Sequence, residues 1–63
     1  MTGDQMIHLR KRLGTSQPDF ASLMDRGKRM IQKYEAGDAE IPRVVALACA
    51  ALALGLTDYP SER

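Results

Sequence analysis

The sequence holds one cysteine and one histidine in 63 residues. A single cysteine, Cys49, makes no intrachain disulfide. A lone His8 beside it leaves no His/Cys spacing for a structural metal. No charged-then-apolar pattern opens the chain, which argues against a secretory signal. The longest apolar run, Val44 to Leu56, is 13 residues long, short of the ~18 that a membrane span needs. No stretch alternates apolar and polar long enough to read as a strand. No repeat or low-complexity linker is visible. These absences predict a single all-α domain over 1–63, intracellular and cytoplasmic, with no membrane partner. A domain of this size buries only about 60% of its unfolded surface. An efficient helical core, or a second copy, is therefore expected.

Excess charge is scarce too. Nine Lys+Arg against eight Asp+Glu give a net charge of +1, which argues against a general nucleic-acid coat. The distribution is uneven. Residues 10–33 hold seven bases (Arg10, Lys11, Arg12, Arg26, Lys28, Arg29, Lys33) against Asp19 and Asp25, a net +5. The remainder holds two bases against six acids, a net −4. The chain is electrically polarised, and its basic part is a candidate polyanion face.

Breaks at Gly14, near Gly27, at Gly37 to Pro42 and at Gly55 divide the chain into four helical segments. The first is predicted over about 3–13. Thr2 with Gln5 fits a capping box, and Met6, Leu9, Arg10 and Leu13 share a face. The second runs over about 17–24. Ser16 is its N-cap, Pro18 lies in its first turn and Asp19 sits near the positive dipole end. The third runs over about 28–36, with a thin apolar stripe (Ile31, Tyr34, with Met30 or Ala36) and a broad face of Lys28, Arg29, Gln32 and Lys33. The fourth, over about 43–54 behind Pro42, is apolar almost all round. Such a helix is buried on more than one face, which a dimer provides. The alternative is that its small alanines are tolerated at the surface. Tyr59, before Pro60, is a candidate anchor for the tail.

Residues 17–37 read QPDFASLMDRGKRMIQKYEAG. Phe20, Met24, Ile31 and Tyr34 supply apolar positions on both sides of a turn. Ala21 is small enough for two helices to cross closely. This stretch resembles the helix-turn-helix of the lambda repressor/Cro-like (XRE) family of bacterial and phage regulators. The likeness extends over about 6–56, with the motif at about 17–36. Ser16-Gln17 matches the family's start of the second helix, Glu35-Ala36-Gly37 its Glu-x-Gly end, and Pro42 the proline that opens the fourth helix. Two positions depart from the pattern. Asp25 stands where the family has its turn glycine, and Arg26 where an apolar residue is usual. Either Asp25 adopts the left-handed conformation, which Asp tolerates better than most residues, or Gly27 does and the turn shifts.

The resemblance implies an all-α fold, a compact four- to five-helix lambda repressor-like DNA-binding domain. It implies a transcriptional regulator that represses its own or a neighbouring promoter. A homodimer would bind a palindromic double-stranded operator, with the recognition helix in the major groove. Lys28, Arg29, Gln32 and Lys33 are then candidate base contacts, since Arg or Lys suits guanine and Gln suits adenine. Arg29 and Gln32 are favoured as base readers, while Lys28 and Lys33 read bases or clamp phosphates. Gln17 matches the family's phosphate-contacting glutamine at a helix N-terminus. Arg26 is a further phosphate candidate, its stem laid over the core. Arg43 matches a position that reaches the minor groove in some relatives. Arg10 and Glu35 match a structural ion pair. Lys11 and His8 read as solvated surface residues, Met30, Tyr34 and Cys49 as core. The region about 43–63 is a candidate dimer contact.

The rival reading is a protein-binding module, such as an antitoxin, that grips a protein partner through the fourth helix. An enzyme is not expected. One His and one Cys in an apolar helix, with no glycine loop for phosphate, provide no catalytic residues, cofactor or metal site.

Overall fold

The structure, a computed structural model, describes residues 1–56. Tyr59 and Pro60 lie outside the described residues. Four helices follow one another: α1 (Gly3–Arg12), α2 (Gln17–Leu23), α3 (Lys28–Ala36) and α4 (Arg43–Ala53). No strand occurs among the described residues.

The helix starts have local causes. Thr2 and Gln5 close the capping box in both directions, Gln5 N donating to Thr2 Oγ1 at 3.1 Å and Thr2 N to Gln5 Oε1 at 2.9 Å. Ser16 Oγ accepts from Asp19 N at 3.2 Å, with Pro18 in the first turn of α2. Gly27 and Pro42 lead into α3 and α4 with extended backbone and no side-chain cap.

The helix ends share one device. Each is followed by a residue at positive φ: Gly14, Asp25, Gly37 and Gly55. In each case the next N–H reaches back five residues to a carbonyl. Thr15 bonds to Arg10 O, Arg26 to Ala21 O, Asp38 to Lys33 O and Leu56 to Ala51 O, at 2.9–3.2 Å. This is the Schellman closure, which satisfies carbonyls the helix leaves unpaired. The turn between α2 and α3 is thereby decided. Asp25 takes the left-handed position at φ 55, and Gly27 stays extended at φ −73. Leu13, Met24 and Leu54, expected inside their helices, are instead the capping residues of α1, α2 and α4.

The core draws on every helix. Met6 and Leu9 come from α1, Phe20 and Ala21 from α2, Met24 from its cap, Ile31 and Tyr34 from α3, Val45 and Cys49 from α4. Met30, Ala39, Ile41, Ala48 and Leu52 pack around them, half-buried. Burying a side chain such as Phe20 or Ile31 contributes about 1.5–3 kcal/mol each. Leu13 departs from expectation. It is 37% exposed, because Gly14 turns the chain away before another helical turn can carry it inward. Leu23, Leu47 and Leu54 are likewise exposed. The N-terminus of α1 lies against the last turn of α3. A Cβ on Gly3 would stand 2.6 Å from Tyr34 O and 2.7 Å from Glu35 O.

Candidate nucleic-acid interface

α3 divides cleanly into two faces. Ile31 and Tyr34 point into the core, with 0% and 3% of their surface exposed. Lys28, Arg29, Gln32 and Lys33 are all exposed. At about 100° per residue they fill one arc of the helix opposite the buried pair. Glu35 is the helix's acid, and it is turned inward instead of lying among the bases.

Glu35 organises that inward side. Its side chain is 6% exposed and that of Arg10 15%. Arg10 Nε donates to Glu35 Oε2 at 2.7 Å and Arg10 Nη2 to Glu35 Oε1 at 3.3 Å, a two-pronged pairing that fixes geometry as well as charge. Arg10 Nη1 donates to Thr15 O at 3.1 Å, and Thr15 Oγ1 donates to Arg10 O at 3.2 Å. Gln17 Nε2 adds a third donor to the carboxylate, reaching Glu35 Oε1 at 3.0 Å. Gln32 Nε2 then donates to Gln17 Oε1 at 3.5 Å. The sequence Arg10–Glu35–Gln17–Gln32 therefore ties α1, the start of α2 and the exposed face of α3 into one network.

The network fixes two amides. A carboxylate only accepts, so Gln17 must turn its NH2 toward Glu35. Its Oε1 is thereby aimed at Gln32, which must answer with Nε2. Gln32 keeps one N–H and its Oε1 outside the network. One donor and one acceptor side by side is the pattern that adenine N7 and N6 require. Gln17 keeps one N–H at the N-terminus of α2, at the positive end of the helix dipole, where Pro18 has no N–H and Asp19 N is already held by Ser16 Oγ.

Arg26 and Arg43 flank the network without joining it. Arg26, exposed, donates from Nη1 to Asp25 O at 3.2 Å and so braces the turn ahead of α3. Arg43, also exposed, opens α4. His8 and Lys11 are exposed, and Cys49 is buried, its thiol pushed up from its ordinary value by burial.

Three contributors went unread in the sequence. Gly3 permits the close approach of α1 to α3. Thr15 completes the hydrogen bonding around Arg10. Arg12 Nη2 donates to Ala53 O at 3.4 Å, setting a positive charge at the carbonyl end of α4. Only Gly3 carries a usable signal, a helix-disfavouring glycine right after a capping threonine. No helix among the described residues is long and apolar enough to cross a membrane. No protein-family model, no curated protein and no solved structure matches the chain.

Proposed function

We propose that the chain is a sequence-specific DNA-binding regulator with a lambda repressor-like helix-turn-helix, α2 and α3 forming the motif. The observation that carries this reading is the exposed Lys28, Arg29, Gln32 and Lys33 face of α3, with Gln32 at its centre tied through Gln17 to the part-buried Arg10–Glu35 pair. A recognition surface needs side chains that are exposed yet positioned. Arg29 and Gln32 read base edges in the major groove. Lys28 and Lys33 read bases or hold phosphates. Gln17 and Arg26 hold phosphates on either side of α3, and Arg43 reaches toward the minor groove. Two copies bind an inverted repeat with half-sites about one helical turn apart, and repression follows from occupying promoter DNA.

The test is selection of bound duplex from a random pool, repeated with Arg29→Ala and Gln32→Ala. Each variant is expected to relax preference at its own base position, by about 1–3 kcal/mol of discrimination. Both variants keeping the wild-type preference would remove Arg29 and Gln32 as readers. A second reading, a module gripping another protein through α4, draws on the exposure of Val44, Leu47 and Leu54. Co-purification with an unrelated chain favours it, and a stable homodimer through α4 counts against it.

A further inference from the structure

α4 has two apolar surfaces that its own domain leaves uncovered. The first is a ridge. Val44, Leu47 and Leu54 are 69%, 60% and 79% exposed, with Ala51 half-buried between them. At about 100° per residue these four positions fall in one arc of about 80°. The second is an open groove of about 560 Å³ between α1 and α4. Leu9 and Cys49 line its buried side, Ala46, Ala50 and Ala53 its α4 wall, and Asp4, His8 and Arg12 its α1 wall. Those three alanines occupy the arc of α4 next to the ridge. Large side chains and the hollow that admits them thus lie side by side on one helix.

We propose that a second copy of this chain lays its ridge of Leu47 and Leu54 into this groove while offering its own groove in return, so that two chains pair through α4 about a two-fold axis. The pairing rests on the two-fold regulator reading above and supplies the contact which that reading needs. Three observations select a second copy. An isologous interface must carry knob and hole in the same patch, and α4 carries both. Residues 44–56 contain no charged side chain, so the ridge brings no charge of its own, and the groove's α1 wall carries Asp4 and Arg12, of opposite sign. Ridge and alanine wall together leave on the order of 500 Å² of apolar surface per copy, and a pair that covers all of it buries on the order of 1,000 Å², the lower bound for a specific interface. The groove is too open to enclose most of a small ligand, as ligand sites do. The steric logic is also specific. Alanines at 46, 50 and 53 keep the wall low enough for leucines to enter, and a larger residue at position 50 closes it.

The experiment is sedimentation of the full chain across a concentration series, without DNA, for the wild type and for Leu47→Glu, Leu54→Glu, Ala50→Leu and Leu23→Glu. Far-UV circular dichroism verifies that each variant is folded, which exposed positions permit. The wild type should rise from 7.0 kDa toward twice that mass. Each substitution occurs twice in a two-fold pair, so Leu47→Glu, Leu54→Glu and Ala50→Leu should each weaken pairing by roughly a hundredfold or more, the worth of two buried leucines. Leu23→Glu, on the exposed side of α2, should pair as the wild type does. A wild type that stays at 7.0 kDa throughout overturns the proposal. Leu47→Glu and Leu54→Glu pairing normally also overturns it, and Ala50→Leu pairing normally removes the groove from the contact. A monomer that still selects one DNA sequence refutes the pairing alone. A dimer that selects none refutes the DNA reading alone.

Discussion

Replacing Glu35 with alanine leaves the Arg10 guanidinium stranded where α1, α2 and α3 meet. In the native chain Glu35 accepts from Arg10 Nε at 2.7 Å, Arg10 Nη2 at 3.3 Å and Gln17 Nε2 at 3.0 Å. With only 15% of its side chain exposed, Arg10 finds little water in exchange, and Thr15 O satisfies only Nη1. Breaking a part-buried pair of this kind costs about 3 kcal/mol, the low end for buried pairs, because the surviving charge is left largely uncompensated. A 63-residue domain has only about 3–9 kcal/mol of total stability. Glu35→Ala should therefore be marginal or unfolded at room temperature. Urea unfolding followed by far-UV circular dichroism measures this, at one fixed chain concentration so that self-association does not shift the midpoint. The paired variant Arg10→Met with Glu35→Leu removes both charges and keeps the volume. It should recover most of the loss, since an apolar replacement of a buried pair is often neutral or stabilising. Glu35→Ala losing less than about 1 kcal/mol would refute a buried, energetically coupled pair. So would a double variant as unstable as the single one.

Other changes probe the same framework. Asp25→Gly should stabilise the domain by about 0.5–1 kcal/mol and Asp25→Ala should destabilise it, because φ 55 favours glycine and penalises Cβ; thermal unfolding measures both, and the opposite order would contradict the turn. Gly3→Ala should cost about 1–3 kcal/mol, since its Cβ meets backbone carbonyls of α3 that cannot rotate away; a gain in stability, as helix propensity alone predicts, would show that the two helices do not approach so closely. Cys49, 1% exposed and with its thiol pushed up, should react with a disulfide reagent only as the chain opens; immediate labelling of the folded chain would contradict its burial.

Much of the fold was legible because its punctuation is local. α3 ends where the sequence places it, between Gly27 and Gly37. The capping box at Thr2 and the Ser16 cap form as their residue types dictate. The other three helices fall one residue short, since a capping residue keeps near-helical angles while its neighbour reverses the chain. The choice between Asp25 and Gly27 was open because either tolerates positive φ, and the reach of Arg26 N to Ala21 O settles it. Candidate site residues were legible as an exposed set on α3. Their anchoring was only partly so. Arg10 and Glu35 were paired by resemblance, whereas the bridge from Glu35 through Gln17 to Gln32 depends on how α2 and α3 cross, which no spacing encodes. The approach of Gly3 to α3 and the bond from Arg12 to Ala53 O are tertiary in the same sense. The surplus apolar surface of α4 was visible as composition, but its division into ridge and groove needed coordinates.

The proposed DNA-reading face of α3 makes a sharp demand on affinity. Its most direct measurement is a fluorescence-anisotropy titration of the selected duplex and a scrambled duplex over a series of salt concentrations. Binding to the selected duplex should be roughly 10³-fold tighter or more, with log affinity falling linearly against log salt for both. Equal affinity for the two duplexes, or binding that salt does not weaken, would contradict it.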